Sequence, residues 1–418
     1  MTDFNKYCAE VAAQLPKSDD EEDAHIDDKD TCSAQELAAQ FRCQYAKDEA
    51  SLSLKKDYVL GLCADAKFTR LAAGLSNTSV KFYDLNEAGA LTAVHVERVP
   101  PVAGSSAAIT ICGVRFLDES ADTLLVGSTD GVVRLFDLRA AGEQTRFVYK
   151  SVPNAETDVP PVPNSICCFD SNANGRVICC GTEQYMGNVH LLFFDVRERK
   201  QLGGYYESHQ DDVTTVRFHN SNPDMLCSGG TDGLINVFDI KQPDEDEALL
   251  NTINTESSVH RLNWHKNVYD QDIISCITHT NDFKSYESLE GDEALSFDRS
   301  AITAGIRRTN AGNFNLINAH SLEEDGVFLL AGTNFNRGEI LRSVTLPAKD
   351  TLNPLTNFVG NKQIVRESLY DAKRQILITG GESGIITVWT PDASDSNKNS
   401  SQFKSKSKAA KTHKKTPY

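Results

Sequence analysis

Pairs of short apolar runs joined by a bare polar turn recur along the chain. In CSGGTDGLINVFDIK, residues 227–241, the turn at 231–233 separates two apolar runs, and the pair Phe238 and Asp239 ends the second run. The Asp-Gly dipeptide in this turn tolerates the positive φ of a tight turn, and residues 234–238 suit a strand. The segment therefore predicts a β-hairpin.

The same hairpin pattern returns six more times. The further copies lie at residues 73–85, 126–139, 177–197, 274–287, 328–344 and 378–390. A strand-like run precedes each hairpin, at residues 58–63, 111–116, 165–169, 213–218, 259–264, 314–317 and 364–370. Consecutive closing aromatic-Asp pairs are about 44 to 58 residues apart, slightly more than the ~40–45 residues of a four-stranded propeller blade. The pattern thus predicts seven repeats with polar loops between them.

This spacing resembles that of the WD-repeat family, and the resemblance covers most of residues 40–390. It implies an all-β fold, a seven-bladed WD-repeat β-propeller over residues 41–391. The last hairpin lacks a fourth strand, and residues 41–54 are the candidate to supply it, because an open ring would leave unpaired strand edges. The longest insertion, residues 287–312, is expected to project as a loop that holds at most a short helix.

The resemblance also implies a buried hydrogen-bonded chain in the fourth repeat. The family links a His, a Ser or Thr, a turn Asp and a Trp, and the matching residues here are His209, Ser228, Asp232 and, in place of Trp, Phe238. Phe238 has no side-chain N–H, so the chain stops one member short. Because a buried Asp is costly without hydrogen-bond partners, we interpret Asp232 as a structural residue held by His209 and by backbone N–H groups. The other repeats lack the His and are expected to rely on apolar packing. Ala73 and Val126 stand at the Ser position of the first and second repeats, and Ser383 stands at the turn Asp position of the last repeat.

Composition restricts the class of protein further. The 418 residues are 40% hydrophobic, which is enough for one large repeat domain. No run of 18 apolar residues predicts a membrane span, and the amino terminus has no pattern of a secretory signal. The odd number of cysteines, 11, fits reduced thiols better than a disulfide framework. We therefore expect an intracellular protein of the nucleus or cytoplasm that binds no membrane.

Two segments outside the repeats carry opposite charge. Residues 1–40 are acidic and predicted to be mostly disordered, because their crowded carboxylates repel one another. Their crowded acids are Asp19, Asp20, Glu21, Glu22, Asp23, Asp27, Asp28 and Asp30. Residues 392–418 form a Lys/Ser-rich tail, also predicted to be disordered, that is a nuclear-targeting signal, a weak nucleic-acid contact or a plain solubilising tail. The candidate targeting residues are Lys404, Lys406, Lys408, Lys411, Lys414 and Lys415.

The sequence offers no catalytic or metal-binding motif. Four cysteines lie in two adjacent pairs, Cys167 with Cys168 and Cys179 with Cys180. Neighbouring residues on a strand face opposite sides, so these four thiols cannot converge on one zinc ion and are interpreted as core residues. No nucleophile has a base at a recognisable spacing. We expect a protein that is not an enzyme and has no cofactor, and a propeller enzyme remains the remote alternative.

What remains is a rigid disc whose loops recognise other proteins. By analogy with the family, we expect a non-catalytic protein–protein interaction scaffold or adaptor. The alternative is a substrate receptor of a cullin-based ubiquitin ligase, since family members of that kind dock to the ligase adaptor through an aromatic-Asp-x-Arg motif. Two such motifs occur, LFDLR and FFDVR, whose candidate docking residues are Asp137, Arg139, Asp195 and Arg197. In the competing interpretation these arginines merely pair with nearby acids.

Overall fold

The protein consists of short antiparallel strands arranged in repeated sheets. The computed structural model describes residues 28–52, 57–99, 109–117, 120–139, 165–267, 269–322, 326–348 and 351–391. A first strand, β1 (Arg42–Ser51), precedes the repeats. Seven sheet units follow it in chain order, and each begins with a hydrophobic strand and continues with the hairpin that the sequence predicts.

The first three units contain the following strands. The first has β2 (Val59–Ala64), β3 (Arg70–Leu75), β4 (Ser79–Leu85) and β5 (Leu91–Arg98). The second has β6 (Ile111–Phe116), β7 (Thr123–Ser128) and β8 (Val132–Asp137). The third has β9 (Ile166–Ser171), β10 (Val177–Thr182), β11 (Leu191–Asp195) and β12 (Lys200–Tyr205).

The last four units follow the same order. The fourth has β13 (Val213–Phe218), β14 (Met225–Gly230), β15 (Leu234–Asp239) and β16 (Leu249–Asn254). The fifth has β17 (Val259–Lys266), β18 (Asp272–Thr278), β19 (Phe283–Glu287) and β20 (Glu293–Phe297). The sixth has β21 (Phe314–Ser321), β22 (Val327–Thr333), β23 (Leu341–Ala348) and β24 (Thr351–Val359). The seventh has β25 (Val365–Asp371), β26 (Ile376–Gly381) and β27 (Ile385–Thr390).

The first strand of each unit packs against the first strand of the next. Proceeding along the chain, β2 packs on β6, β6 on β9, β9 on β13, β13 on β17, β17 on β21 and β21 on β25, which in turn packs on β2. The contacts therefore close into a ring, and the predicted all-β propeller architecture is confirmed.

Strand β1 supplies the edge that the last unit lacks. It pairs antiparallel with β27, from Tyr45 opposite Thr390 to Ser51 opposite Ile385. It also pairs in parallel with β24 of the sixth unit, so the sixth and seventh units share one eight-stranded sheet. The strand lies within residues 41–54, as predicted, and it joins the two ends of the described chain.

The core lies between adjacent sheets. Strand β14 is buried along almost its whole length because sheets cover both of its faces. A Cβ atom at Gly229 would lie 2.5 Å from a methyl carbon of Val259 in the next unit, so only glycine allows the two sheets to approach this closely. Each contact between units buries a similar apolar cluster, such as Cys227, Val237, Leu262, Trp264 and Ile274.

Residues 28–40 do not follow the prediction of a disordered acidic segment. Helix α1 (Ala34–Gln40) starts with a capping box, in which Ser33 Oγ accepts the Glu36 N–H at 3.3 Å and the Glu36 carboxylate accepts the Ser33 N–H at 2.8 Å. The Thr31 N–H donates to the Arg307 carbonyl at 3.0 Å. The prediction is wrong for these residues because Asp28 and Asp30 have arginine partners elsewhere in the chain. Residues 1–27 and 392–418 lie outside the described part, and domain limits at 41 and 391 stay predictions.

The insertion at residues 287–312 is not a projecting loop. Its first half contains β20, the outer strand of the fifth unit, and its second half contains α3 (Arg299–Gly305). Ile302 and Ile306 are fully buried against Phe314 and Val344 of the sixth unit. The insertion is packed because these apolar side chains cover the junction of two units. A further short helix, α2 (Glu245–Ala248), precedes β16.

Candidate functional site

The three residues predicted to form the hydrogen-bonded chain meet in the fourth unit. His209 Nε2 lies 2.8 Å from Ser228 Oγ, and His209 Nδ1 lies 3.0 Å from Asp232 Oδ2. The Asp232 carboxylate also accepts the N–H groups of Gln210 and Leu234, both at 3.0 Å. Burial raises the pKa of Asp232, but the hydrogen bond and charge of His209 and the two N–H groups hold this pKa below its ordinary value. The geometry is that of a turn tied to the preceding loop.

Asn236 extends this chain, and the sequence analysis missed it. Its Nδ2 donates to the Ser208 carbonyl at 2.6 Å, and its Oδ1 accepts the Thr252 hydroxyl at 2.7 Å. The feature of the sequence that could have indicated this role is the single amide, Asn236, within the apolar run of the strand. Phe238, at the position that Trp holds in the family, is fully buried with its ring centroid 5.1 Å from that of Tyr205.

Replacing Asp232 with Ala is expected to lower the free energy of unfolding by about 1–3 kcal/mol, because it leaves buried donors without an acceptor. Urea denaturation of Asp232→Ala measures this loss. Asp292→Ala, an exposed acid of the fifth unit, is the control and is expected to change stability by less than ~0.5 kcal/mol. A variant that melts like the parent but loses a binding partner would show that Asp232 has a recognition role instead.

A second cluster, which the sequence analysis also missed, projects from the third unit. Between β10 and β11 the chain forms a two-residue hairpin in which Tyr185 and Asn188 exchange backbone hydrogen bonds of 2.8 and 3.0 Å. Its central residues, Met186 and Gly187, both have positive φ, 51° and 82°, as in a type I′ turn. The Met186 side chain is 84% exposed. A non-glycine residue with this backbone is uncommon, and here it presents an apolar side chain to solvent.

Neighbouring loops complete the cluster. The Gln184 N–H donates to the Asp212 carboxylate at 2.7 Å, which fixes the hairpin to the loop before β13. Tyr206 is half exposed, and its ring lies edge-on to His190 with the centroids 4.9 Å apart. We call Tyr185, Met186, His190 and Tyr206 the apolar patch. The only feature of the sequence that could have indicated this patch is the Met-Gly pair in the widened third hairpin.

Comparisons with known proteins agree with the predicted resemblance. The family model described as WD domain, G-beta repeat matches residues 200–239, which include the linked His209, Ser228 and Asp232. The chain is 25% identical, over 86% of its length, to the WD repeat-containing protein 89 homolog of Dictyostelium discoideum, of which it covers 92%. The chain resembles WD-repeat proteins over most of its length. The predicted resemblance to the family is thus confirmed, and within the family the chain is similar to WD repeat-containing protein 89.

Two further likenesses are more limited. The chain is 33% identical to the DDB1- and CUL4-associated factor 11 homolog of Caenorhabditis elegans, but only over 18% of its own length and 12% of the relative. A solved structure, Crystal Structure of Mitotic Checkpoint Complex, contains a chain with a TM-score of 0.58 at 16% identity. The match covers 83% of this chain and 92% of the other. The structural likeness shows a shared fold.

The second unit does not rely on apolar packing alone, contrary to the prediction. Val126 is buried at the expected Ser position, but Ser128 and Arg134 form a different polar network with the turn residue Asp130. Ser128 Oγ donates to Asp130 at 2.7 Å, and the Arg134 guanidinium binds the same carboxylate. An arginine on the third strand thus takes the place of the loop histidine. In the seventh unit, Trp389 Nε1 donates to Thr379 Oγ1 at 3.0 Å.

The predicted docking residues lie at the ends of β8 and β11. Asp137 accepts hydrogen bonds from Arg139 Nε at 2.9 Å and Nη2 at 2.7 Å, and this pairing, with the Arg139 backbone N–H, lowers the pKa of Asp137 to about 2. Asp195 accepts the Arg197 N–H at 2.7 Å. Both arginine side chains are exposed. The geometry is compatible with both interpretations, so the docking role stays a prediction.

The paired cysteines are packed inside the sheets. Cys168, Cys179 and Cys180 are buried. Cys167 is half-buried and lines the channel that the first strands of the seven units surround. Burial raises the pKa of all four thiols well above the ordinary range. Among the described residues, no three His, Cys, Asp or Glu side chains are grouped so as to hold a metal ion.

The candidate targeting lysines of the tail lie outside the described residues. Within the part of the chain that the structure covers, no helix has the length and hydropathy needed to cross a bilayer.

Proposed function

We propose that this WD-repeat protein is a non-catalytic interaction scaffold that binds a partner protein through the apolar patch. The comparisons support a protein-interaction scaffold, since the relatives are WD-repeat proteins. The observation that carries the proposal is Met186, an almost fully exposed apolar side chain on a backbone with positive φ. Exposed large apolar side chains grouped on a rigid surface are typical of interaction sites.

Met186 has a backbone conformation that is costly for a side chain other than glycine. A side chain other than Gly, Asn or Asp in the left-handed region costs about 1–2 kcal/mol. Asn at this position would relieve most of that cost and favour the same turn. Because methionine contributes no buried packing here, a contact with a partner is the function that accounts for its presence.

The charge around the patch indicates the chemistry of the partner. The hairpin segment 183–190 and the loop 206–212 contain the acids Glu183, Glu207, Asp211 and Asp212 and neither lysine nor arginine. Opposite charge across an interface speeds association and excludes unsuitable partners. We infer a partner segment that offers an apolar pocket for Met186 bordered by basic side chains.

The double change Tyr185→Ser and Met186→Asn is expected to abolish capture of the partner. We expect stability to stay equal or to rise by up to ~1 kcal/mol, because Asn relieves the strain at position 186. Affinity purification from cells with quantitative mass spectrometry measures the loss of partners, and urea denaturation measures stability.

Leu289→Ser is the matched control, because Leu289 is an exposed apolar residue in the turn between β19 and β20. This variant should retain the partners of the parent. Equal recovery of every partner by the double variant and the parent would refute the assignment of the patch.

A second candidate function is that of a substrate receptor for a cullin-based ubiquitin ligase. One support is the short likeness to a DDB1- and CUL4-associated factor homolog. The other is that Arg139 and Arg197 are exposed just after β8 and β11, in two consecutive units. In this arrangement the two arginines would bind the ligase adaptor. The patch would then bind the substrate.

Replacing Arg139 and Arg197 with Ala is expected to remove the ligase adaptor from purified complexes. An interfacial guanidinium with forked hydrogen bonds is commonly worth ~2 kcal/mol or more. The melting temperature should hardly change, since exposed substitutions usually cost less than ~0.5 kcal/mol. Lys200→Ala, a nearby exposed cation paired with Glu198, is the control. Absence of the adaptor from the parent's own complexes would eliminate this candidate.

We also propose that the protein acts in the nucleus or the cytoplasm and that its Lys-rich tail contributes nuclear targeting or a weak nucleic-acid contact. The support is the composition of residues 392–418 and the cysteine usage. We propose no membrane partner. A propeller enzyme remains the remote alternative.

A further inference from the structure

The apolar patch lies among acids that have no cationic partner. Three neighbouring segments, residues 183–190, 206–212 and 242–248, contain neither lysine nor arginine. Lys241, which precedes the third segment, pairs with Asp224 instead, with Nζ and Oδ2 3.2 Å apart. Within the part of the chain that the structure describes, none of the acids in these segments forms an ion pair with a lysine or an arginine. The eight acids are Glu183, Glu207, Asp211, Asp212, Asp244, Glu245, Asp246 and Glu247.

Hydrogen bonds hold the three segments together as one surface. The Glu245 carboxylate accepts the Tyr206 N–H at 2.6 Å and the Glu207 N–H at 3.0 Å, so the start of α2 is fixed to the loop that carries Tyr206. Asp212 fixes the hairpin that carries Met186 to the same loop. The surface therefore offers apolar side chains beside unpaired carboxylates on a fixed backbone. The six exposed acids are Glu183, Glu207, Asp211, Asp244, Asp246 and Glu247.

The Lys/Ser-rich tail, residues 392–418, has the complementary chemistry. Between residues 398 and 418 it contains seven lysines and no acid. Phe403 directly precedes Lys404, so an aromatic ring adjoins the basic run. An aromatic ring makes favourable contacts with a methionine sulfur, and lysines match carboxylates across an interface. One short segment of the tail thus supplies both kinds of contact that the surface can accept.

The tail is long enough to reach the patch. It leaves the described chain just after β27, where Thr390 pairs with Tyr45. An extended chain of roughly 27 residues spans up to about 90 Å, whereas a compact domain of about 350 residues is roughly 50 Å across. A tether of this kind keeps a segment at an effective concentration of ~0.1–1 mM, so weak contacts are sufficient for docking.

We propose that the tail docks on the apolar patch of its own chain, with Phe403 against Met186 and its lysines beside the exposed acids, and thereby competes with the partner protein. The competition rests on the function proposed above, but the docking itself does not. Neutralising the lysines removes their attraction to the acids and frees the patch. The tail is then a built-in regulator of access to the patch.

Zero-length crosslinking with a carbodiimide tests the docking in the unaltered full chain, because this reagent joins amines and carboxylates that are in direct contact. We expect crosslinks in the monomer from the tail lysines to acids of residues 206–212 and 242–248. Mass spectrometry of the digested monomer identifies the joined residues. Tail crosslinks confined to the acids of residues 1–27, spread evenly over all exposed acids, or found only in a dimer overturn the proposal.

The rate at which trypsin cleaves the tail gives a second readout. Docking protects the lysines, so the full-chain variant Glu207→Gln, Asp246→Asn, Glu247→Gln is expected to lose its tail about threefold faster than the parent, as an effective concentration of this size implies. The variant Glu290→Gln, Asp292→Asn, Glu293→Gln changes three exposed acids of the fifth unit and is the matched control. It should be cleaved like the parent. Equal rates in all three proteins overturn the proposal.

Neither readout needs a partner, so together they separate the docking from the proposed function. Crosslinks to the patch, in a protein whose Tyr185→Ser, Met186→Asn variant keeps every partner, support the docking and refute the function. Absence of crosslinks to the patch, in a protein whose double variant loses its partners, overturns the docking alone.

Discussion

Lowering the pH from 7.5 to 5 is expected to reduce the free energy of unfolding by about 4 kcal/mol through His265, which is buried, and His320, which is half-buried. Burial lowers the pKa of His265 to about 4, and burial together with the charges of Arg261 and His265 lowers that of His320 to about 3. His265 lies between two hydroxyl groups, 2.6 Å from Ser321 Oγ and 2.7 Å from Ser275 Oγ. Urea denaturation at constant ionic strength across this pH range measures the loss.

The sign follows from the protons bound in each state. In the unfolded chain these histidines take up protons below pH ~6.5, whereas in the folded protein they stay neutral until the pH approaches 4. The unfolded state therefore binds more protons, and stability falls as the pH drops below 6.5, by about 2 kcal/mol per histidine at pH 5. Asp30, Asp232 and Asp272 have lowered pKa values, so their contribution is lost only below their ordinary value near 3.8.

The double variant His265→Gln and His320→Gln is expected to lose the part of the pH dependence between 6.5 and 5 that these two residues contribute, about 4 kcal/mol, while His260, whose pKa burial lowers to about 3, keeps its share. The exposed His95 provides the control, since His95→Gln should retain it. A parent protein whose stability is flat over this range would contradict the assignment of neutral buried histidines.

Replacing Arg308 with Met is expected to lower the free energy of unfolding by about 3–5 kcal/mol, the usual cost of removing one partner of a buried ion pair. Arg308 binds the buried Asp28 through Nη2 at 2.9 Å and Nε at 3.1 Å, and it binds Asp30 through Nη1 at 3.1 Å. Arg342 Nη1 binds the same Asp30 oxygen, Oδ1, at 2.6 Å. The variant leaves the Asp28 carboxylate buried beside an apolar side chain. Urea denaturation measures the effect.

A double variant separates the loss of the pair from the cost of stranding one charge. Asp28→Leu combined with Arg308→Met is expected to be markedly more stable than Arg308→Met alone, because no unpaired charge remains buried. Equal losses in the two variants would show that packing, and not the stranded Asp28, determines the effect.

The repeating part of the fold could be predicted from the sequence because its signals are local. A turn such as Asp232-Gly233 and the apolar runs beside it define a hairpin within 15 residues, and seven such hairpins define a ring. The closing strand β1 could be predicted because the last hairpin lacks a fourth strand that residues 41–54 can supply. The trio His209, Ser228 and Asp232 followed from the family pattern, and the structure brings these residues within hydrogen-bond distance.

The remaining features depend on contacts between residues distant in sequence. Asp28 belongs to an acidic run that suggests repulsion, and its partner Arg308 lies 280 residues away. Arg134 reaches the turn Asp of its own hairpin, a contact that the sequence analysis did not predict. Met186 was missed because a Met-Gly pair in a loop predicts a turn and says nothing about the exposure of its side chain.

Photo-crosslinking at position 186 tests the central claim, recognition of a partner through the apolar patch, most directly. A photo-reactive methionine analogue is placed at position 186 and, in a separate protein, a photo-reactive leucine analogue at position 289. We predict one dominant crosslinked partner from position 186 only, displaced by excess parent protein but not by the Tyr185→Ser, Met186→Asn variant. The same partners from both positions, or displacement by both competitors, would contradict the account.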